Sequence, residues 1–352
     1  MLRSQAQTPA GVTWSSPADA QDLLEQERRA SSEPAPYVVP LIGPGATERE
    51  LVGGKAAQLA ELAALGLPVP VAYFVTTAAY RAYLSAHSLD SWLDQATRQV
   101  SAHDAASAVR VADDVRRRFA ERPIPSEIGR DILRGYRELL MGDDSRPVAV
   151  RSSASVEDGL VASFAGQCET LLNVLGEAAL LEAVVACWAS LHSVQALLYR
   201  ARHGLLGGEC AAGVVVQNLV PADRAAVAFS ANPVDGDRTC VVVNASWGLG
   251  EAIVSGLVNP DMYFVDKRDF GIRSELIADK EMMTVPLPEG GTEERPVPQH
   301  RRRAPALSHA EVQELARVAA RLEASRGHPV DVEFAFAGTR LAVLQCRPIT
   351  TL

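Results

Sequence analysis

Polar side chains near the C-terminus have the types and spacing of a site for metal and phosphate. Glu333 lies in the segment VDVEFAF, and Gln345 and Arg347 lie in RLAVLQCR. Both segments alternate around a short turn, Ala337 to Thr339, which predicts a hairpin with Gln345 and Arg347 on one shared face. Carboxylate and amide oxygens suit Mg²⁺ beside nucleotide phosphates, and arginine binds phosphate through paired hydrogen bonds. A cross-strand polar pair with a surface arginine has the same pattern.

Glycines and a lysine open a predicted helix near the N-terminal third of the chain. Gly53, Gly54 and Lys55 would offer backbone N–H groups and a mobile cation to an anion, for which phosphate is the natural guest. The spacing is not that of a Walker A loop, because Arg49 and Ala56 occupy key positions. A capped helix with a solvated lysine is the alternative.

Arg151 follows the apolar strand segment VAV, where a permanent charge must meet an anion or reach solvent. A structural ion pair is the alternative. Ser152, Ser153 and the segment ASFAGQCET, which contains Gly166, supply the small and hydroxyl residues of a loop that could close over phosphates. An ordinary Ser/Gly turn would look the same.

Two further polar segments follow predicted strands. Gln217 and Asn218 end the strand AAGVVV, where free backbone groups could pair with an adenine edge, although a polar strand end is equally simple. Gly248 to Glu251 opens another helix and is similar to an anion site. It lacks the last glycine of the dinucleotide fingerprint, since Ile253 or Val254 stands there. Close helix packing alone would explain those glycines.

The elements that position these residues predict an α+β chain. Residues Met1 to Pro36 show little apolar periodicity and are interpreted as a loosely held extension. We expect a first lobe over 37–220 and a second over 221–352. The remaining predicted elements are a strand at YVVPLI, a helix from Lys55 to Leu65, helices over Asp90–Leu140, a long helix over Glu177–Arg202, strands in AAGVVVQNLV, AAVAFSAN and TCVVVNAS, an exposed loop over Pro286–Pro305, and a helix from Ser308 to Gly327.

Composition excludes several classes of function. The 352 residues include 34 Lys plus Arg against 43 Asp plus Glu, with one dense basic run at Arg301–Arg303, so neither nucleic acid nor a membrane is an expected partner. Five cysteines without a C-x-x-C pair indicate a reducing, cytoplasmic setting. We expect no signal peptide and no apolar run long enough to cross a bilayer. The seven histidines form no triad or metal motif.

Together these segments resemble the nucleotide-binding domain of phosphoenolpyruvate synthase, pyruvate phosphate dikinase and rifampicin phosphotransferase, from about Leu41 to Thr350. The resemblance implies a two-lobed, ATP-grasp-like fold that binds ATP and Mg²⁺ between its lobes. It is carried by the blocks LVGGKAAQLAELAALGLPVPVAYFVTTAAYRAYL, VAVRSSASVEDGLVASFAGQCETLLNV, CWASLHSVQALLYRARHGL, GVVVQNLVPAD, ASWGLGEAIVSGLVNPDMYFVDK and DVEFAFAGTRLAVLQCRPIT.

The resemblance also implies a role for each matching position. Contacts to the ATP phosphates fall to Lys55 and Arg151, and the loop that covers the phosphates contains Gly166 and Thr170. The adenine contacts fall to Gln217 and the backbone of Asn218 and Leu219. The magnesium ligands are Glu333 and Gln345, and the stabiliser of charge on the transferred phosphoryl group is Arg347.

The sequence departs from its relatives at several points. The segment GLVAS lacks a proline common there, and Gln195 replaces a frequent arginine. The relatives continue beyond the position of Leu352 into a phosphohistidine domain and an acceptor domain. The seven histidines of this chain, which lie outside the Gly-rich phosphohistidine setting, are His87, His103, His192, His203, His300, His309 and His328.

Three functions remain open on this basis. The first is a split phosphotransferase that passes a phosphoryl group from ATP to a histidine on a separate carrier protein. The second is a stand-alone kinase or ligase acting on a small molecule, and the third is an ATP-binding subunit without turnover. An initial Met and no visible tag favour a natural short chain over a fragment.

Overall fold

The computed structural model describes residues 35–154, 169–206 and 210–350. From Tyr37 onward they belong to one compact unit, Tyr37–Leu352. The strands are β1 Val38–Pro40, β2 Ala72–Val75, β3 Val148–Ala154, β4 Thr170–Val174, β5 Ala212–Asn218, β6 Arg224–Phe229, β7 Cys240–Trp247, β8 Asp261–Asp266, β9 Ile272–Leu276, β10 Met282–Pro286, β11 Thr292–Pro296, β12 Val330–Ala337 and β13 Arg340–Pro348. The helices are α1 Arg49–Val52, α2 Gly54–Ala64, α3 Thr77–Ala86, α4 Asp90–Arg98, α5 Ala105–Ala120, α6 Ser126–Leu140, α7 Glu177–Ser190, α8 Val194–Arg202, α9 Glu251–Val254 and α10 His309–Arg326.

The first half of the chain forms a five-stranded antiparallel sheet with the order β1-β2-β5-β3-β4. Side chains alternate between its faces. Val148 and Val150 of β3 join a large apolar core with Phe119, Trp188 and other side chains of the helices that cover one face. Ala149 and Arg151 therefore point to the opposite face. This register decides that the guanidinium of β3 is directed away from the helical core.

The second half forms a six-stranded antiparallel sheet with the order β13-β12-β6-β7-β8-β9. Helix α10 packs its apolar stripe, which includes Leu315 and Leu322, against one face of this sheet. The helix begins at a capping box formed by Ser308 and Glu311 and ends at Gly327 in the left-handed conformation. Glu333 is not in that core.

The chain passes from one sheet to the other between Asn218 and Arg224. The predicted boundary at 220/221 falls in this connection, and the division into two lobes stays a prediction. The α+β class is confirmed by the mixture of helices and sheets. The predicted strands around YVVPLI, VAVRS and the three apolar segments after position 210 are present, as is the helix from Ser308 to Gly327.

One predicted element is wrong. The expected loop over Pro286–Pro305 contains β11, which pairs with β10 from Met282↔Pro296 to Pro286↔Thr292. The charged residues that suggested a loop, including Glu294, lie on an exposed two-stranded ribbon. The long helical stretch predicted over Glu177–Arg202 is present, as the two helices α7 and α8 with a short break between Ser190 and Val194.

The stretch Glu177–Arg202 also bears on the expectation that no apolar run could cross a bilayer. By length and composition alone this stretch is long and apolar enough to cross a membrane, although half of its most apolar part is buried inside the chain. A helix of a soluble core has the same signature. Trp188 and Leu197 of this stretch are fully buried in the helical core.

Candidate active site

A cavity of about 320 Å³ lies between the two sheets. This volume is at the lower end of the range for small-molecule sites. The five-stranded sheet contributes Ala149, Arg151, Thr170, Leu172 and Gln217, and the six-stranded sheet contributes Glu333, Ala335 and Leu344. The connection between the sheets and the segment around α9 complete the lining. The site is therefore built from residues far apart in the sequence.

Arg151 joins the two sheets at one end of the cavity. Its Nη2 donates to Oε1 of Gln345 at 2.5 Å and to Oε2 of Glu333 at 3.4 Å, and its Nη1 donates to the carbonyl of Leu344 at 3.2 Å. The side chains of Arg151 and Glu333 are 11% and 14% exposed. Nε of Arg151 is buried and has no partner among the described residues. The guanidinium therefore keeps one donor for an additional acceptor.

A second arginine approaches the same carboxylate from β13. Nη2 of Arg347 donates to Oε1 of Glu333 at 3.2 Å, and its Nε donates to Oδ1 of Asp331 at 3.1 Å. Two guanidinium groups and two carboxylates thus form one nearly buried cluster, which we call the arginine–carboxylate cluster (Arg151, Arg347, Asp331, Glu333, with Gln345). Glu333, Gln345 and Arg347 were predicted to lie together, and they do.

Asp331 was missed by sequence reasoning. It lies two residues before Glu333, hence on the same face of β12, and its Cα is paired directly with that of Arg347. This spacing in VDVEFAF, opposite the predicted arginine, is the signal that could have identified it. Because Nε of Arg347 donates to Asp331, this carboxylate orients the guanidinium so that Nη2 is directed toward Glu333.

A β-bulge shapes this end of the cavity. Glu333 pairs with Gln345 but the next residue, Phe334, pairs with Val343, so Leu344 is the extra residue of β13. Such bulges redirect groups next to binding sites. Here the carbonyl of Leu344 accepts Arg151 Nη1 and its side chain lines the cavity. Strict alternation in LAVLQCR could not predict this.

Lys55 is the second residue of the helix α2, which contacts β3 and β13. Gly53, at φ +83°, comes so close to β3 that a Cβ there would lie 1.9 Å from the carbonyl oxygen of Ser153. The approach places Lys55 Nζ 2.8 Å from the carbonyl oxygen of Ser152, with only 7% of the residue exposed. The backbone N–H of Ala56 donates to the Ser153 hydroxyl. That N–H is therefore not available to an anion, and the alternative of a solvated lysine is wrong.

The remaining predicted phosphate residues divide between the described and undescribed parts of the chain. Thr170 begins β4, pairs with Arg151, and lines the cavity. Gly166 lies outside the described residues. Lys55, Gln345 and Arg347 are not among the described residues that line the cavity. Gln345 and Arg347 contact the lining residues Arg151 and Glu333, respectively, and Lys55 contacts the carbonyl of Ser152, which follows Arg151.

The opposite part of the cavity is apolar. Six side chains form one small cluster that lines it, namely Leu172, Val220, Ala222, Leu249, Ala335 and Leu344. Asn218 lies at its edge, and its Oδ1 is buried without a partner among the described residues. A flat heteroaromatic ring with an exocyclic amine would meet apolar contacts and an acceptor here. Gln217, predicted to face adenine, lines the cavity while its Nε2 donates to the Pro70 carbonyl at 3.3 Å.

The glycines before α9 serve backbone packing. Gly248, at φ +79°, lies so close to β10 that a Cβ would be 2.4 Å from the Thr284 carbonyl oxygen. The N–H of Leu249 donates to that same oxygen at 2.9 Å. Close packing, the alternative left open by the sequence, therefore accounts for Gly248. The motif brings Gly250 and the carboxylate of Glu251 to the cavity.

The donor set fits a hard divalent cation associated with phosphate. No group of three or more His, Cys, Asp or Glu residues that could hold a metal ion alone occurs in the described part of the chain. Glu333 and Gln345 instead offer a carboxylate and an amide oxygen on adjacent strands. Mg²⁺ is commonly held by one or two carboxylates together with substrate phosphates. The site thus suits Mg²⁺ that arrives with a polyphosphate.

The apolar part of the cavity and the arginine–carboxylate cluster at its other end together form a candidate nucleotide-binding site. Residues 49–352 match the family described as pyruvate phosphate dikinase, AMP/ATP-binding domain. The chain belongs to this family, whose domain binds ATP together with Mg²⁺.

Curated relatives agree with this assignment. A probable phosphoenolpyruvate synthase of Methanocaldococcus jannaschii is 37% identical over 305 residues, covering 86% of this chain and 26% of that protein. The rifampicin phosphotransferase of Streptomyces sviceus is 39% identical over 318 residues, covering 90% of this chain and 36% of that protein. The phosphoenolpyruvate synthase of Pyrococcus furiosus is 34% identical over 344 residues, covering 86% of this chain and 42% of that protein. This chain therefore spans less than half the length of each of these relatives.

Proposed function

We propose that this chain is the MgATP-binding component of a phosphotransferase and passes a phosphoryl group from ATP to a histidine on a separate protein. The observation that carries the proposal is the arginine–carboxylate cluster at one end of a cavity whose other end is apolar. Arg151 contacts Glu333 and Gln345 across the two sheets, and its Nε keeps a free donor. This is an arrangement that can hold a polyphosphate at one end and a base at the other.

Each group of the cluster has a role in this proposal. Arg151 exchanges part of its contact with Gln345 for a phosphate oxygen, and the buried ammonium of Lys55 adds positive charge nearby. Glu333 and Gln345 hold the metal, which supplies charge neutralisation of the phosphate chain when bound. Asp331 keeps Arg347 oriented toward Glu333. Catalysis is then positioning and electrostatic stabilisation.

The transfer step follows from this arrangement. The imidazole nitrogen of the carrier attacks a phosphorus of the polyphosphate, and an N–P bond forms as a bridging P–O bond breaks. The electron pair stays on the departing phosphate oxygen, where Arg347 and Arg151 stabilise the charge that develops. Attack at the β-phosphorus releases AMP and leaves a pyrophosphoryl group on the histidine. Water then breaks the P–O bond between the β- and γ-phosphates, so that inorganic phosphate leaves and one phosphoryl group stays on the histidine. As in the relatives that the sequence resembles, we therefore expect AMP as the final nucleotide product.

The histidines of this chain support an acceptor located elsewhere. All seven lie in the described residues, and none of them lines the cavity. His192 is fully enclosed between Tyr80 and Arg200, and His328 lies at a different depression near Pro348. A phosphoryl group held at Arg151 therefore has no acceptor imidazole among these residues.

The proposal is tested by incubating the purified chain with Mg²⁺, ATP labelled at the β-phosphate, and a protein that carries the family's phosphohistidine domain. Label on that histidine together with AMP is the expected result. A matched reaction with Arg347→Ala should leave the carrier unlabelled, whereas Arg340→Ala, which changes an exposed arginine of the same strand, should not.

Other products would indicate the alternative functions. ADP formed with a small-molecule acceptor and no protein partner would replace the proposal with a stand-alone kinase or ligase. Tight, Mg-dependent ATP binding without labelling of any acceptor and without hydrolysis would indicate a binding subunit. The absence of ATP binding would contradict all three.

A further inference from the structure

The carboxylate of Glu251 is a feature of the cavity that the metal and phosphate contacts do not use. It stands at the first residue of α9 and lines the cavity beside Gly250 and Ser255. Among the described cavity-lining residues, only Glu251 and Glu333 carry a carboxylate. Glu333 is neutralised by two arginines, whereas Glu251 has no ion pair with any described residue. The carboxylate of Glu251 is therefore not explained by an ion pair within the described part of the chain.

The structure holds Glu251 in place from the neighbouring ribbon. The hydroxyl of Thr292, at the start of β11, donates to Oε2 of Glu251 at 3.3 Å. The turn that leads to β11 is in turn fixed to β4, because Nδ2 of Asn173 donates to the carbonyls of Leu287 and Gly291, both at 2.6 Å. Asn173 is 3% exposed. One carboxylate oxygen is thus oriented by the ribbon, and the other remains available to accept hydrogen bonds.

The chemistry of an ionised carboxylate limits what it can recognise. It is an acceptor only, so it needs donor groups, and it would repel a phosphate chain. In a nucleotide, donors without negative charge are the base amine and the ribose hydroxyls. The buried Oδ1 of Asn218, at the edge of the apolar part of the cavity, is already placed to accept from a base amine. The ribose hydroxyls remain for Glu251.

We propose that Glu251 accepts hydrogen bonds from the 2′- and 3′-hydroxyls of the bound nucleotide and selects ribonucleotides over deoxyribonucleotides. This inference rests on the proposed function, since it takes ATP as the occupant of the cavity. A carboxylate recognises a ribose hydroxyl in the same way in dinucleotide-binding folds. Glu251 is exposed to solvent, so the selectivity should be moderate.

The test compares dissociation constants for ATP, 2′-deoxyATP and 3′-deoxyATP in the presence of Mg²⁺, measured by isothermal titration calorimetry. A hydrogen bond to a charged group corresponds to about a tenfold or greater change in affinity. We expect the wild-type chain to bind ATP about tenfold more tightly than at least one of the deoxy analogues. The Glu251→Ala variant should bind all three with nearly equal affinity.

The ratio of dissociation constants is the decisive quantity, because removing any negative charge raises the affinity for a polyphosphate in general. Glu294→Ala controls for this effect: it removes an exposed carboxylate from the same ribbon and does not alter the cavity lining. It should keep the wild-type ratio. Thr292→Val, which removes the hydroxyl that orients Glu251, should lower the ratio by a smaller factor of roughly two to five.

Each remaining outcome is informative. A wild-type chain that binds ATP without discriminating between the sugars overturns the role of Glu251 and leaves the proposed function intact. The same holds if Glu251→Ala binds ATP and keeps the wild-type ratio. A wild-type chain that binds none of the three nucleotides overturns both proposals.

Discussion

Two charged clusters of the six-stranded sheet differ in how completely their polar atoms are satisfied. Asp261 and Lys280 are both 0% exposed, and Lys280 Nζ lies 2.5 Å from Oδ1 of Asp261. Asp261 also accepts from the N–H groups of Ala278 and Ala306, at 2.9 and 2.8 Å, and Lys280 also donates to the carbonyl of Ala278. Every partner belongs to the chain itself.

The arginine–carboxylate cluster has a similar balance of charge but is open. Its ion-paired side chains are 11–18% exposed, it borders a cavity, and Arg151 Nε has no partner among the described residues. The comparison indicates that a closed cluster fixes the fold, here by tying the segment before α10 to β8. An open cluster keeps capacity for a ligand. Removing one member of each should affect different properties.

The largest effect is expected from Asp261→Ala. The change leaves the Lys280 ammonium and the N–H groups of Ala278 and Ala306 buried without their acceptor, which typically costs about 3–5 kcal/mol in the free energy of unfolding. Urea denaturation measures this quantity. Asp279→Ala is the control, since it breaks a partly exposed pair with Arg302 and Arg303 and should cost less than about 1 kcal/mol. Equal losses in both variants would contradict the stabilising role of the closed cluster.

A comparable effect on turnover is expected from Arg347→Ala. Loss of one preorganised donor for developing charge lowers turnover about 10²- to 10³-fold. ATP affinity should fall much less, because Arg151 and Lys55 remain, and unfolding free energy should change little. Steady-state rates and direct ATP binding, each measured beside Arg340→Ala, separate these quantities. Wild-type turnover in Arg347→Ala would remove this arginine from the catalytic group.

A smaller effect is expected from replacing one of the two proposed metal ligands. Gln345→Ala removes an amide oxygen that accepts Arg151, and it should raise the Mg²⁺ concentration for half-maximal turnover about tenfold, as for the loss of one charge-assisted contact. Glu333→Ala should act in the same direction. The exposed Gln299 provides the control through Gln299→Ala. An unchanged Mg²⁺ dependence would assign Gln345 to arginine positioning alone.

Sequence alternation was sufficient to place Gln345 and Arg347 on one face of β13, because strand periodicity is local. It was not sufficient for Arg151, whose contact with Gln345 joins residues 194 apart. Such a contact depends on how the two sheets are arranged relative to each other. The sequence indicates only that the charged Arg151 needs an anion or solvent, and it does not identify the partner residue. The family resemblance supplied what local physics could not.

The errors have the same origin. The ribbon of β10 and β11 was predicted as a loop because its charged residues are typical of exposed segments, yet its backbone pairs regularly. The bulge at Leu344 and the break between α7 and α8 change the register by one or a few residues without a strong compositional signal. Regular pairing and packing overrode propensity at these positions.

A third polar cluster extends the comparison to a buried group that can change its charge. His192 is buried behind the five-stranded sheet, 3.1 Å from Tyr80 Oη through Nε2 and 3.1 Å from Arg200 Nη2 through Nδ1. Arginine is a donor only, so Nδ1 must accept and the proton resides on Nε2. Burial, and then the neighbouring Arg200 charge, hold the pKa of His192 well below its usual range. Nδ1 can accept from Arg200 only while His192 is neutral.

The smallest effect is expected in the pH dependence of the free energy of unfolding, to which protonation of His192 contributes. Because its folded pKa lies below its unfolded value of about 6.5, the unfolded chain binds the proton first. The stabilisation is complete above about pH 6.5 and is lost as the pH falls below that value, with a slope of up to about 1.4 kcal/mol per pH unit for one proton. Urea denaturation from pH 7.5 to 5 should show this slope in the wild-type chain and in His203→Gln, which alters an exposed ring, and a shallower slope in His192→Gln. The same slope in all three would mean that His192 is not the group whose protonation opens the cluster, and that Arg200 and Tyr80 tolerate an imidazolium between them.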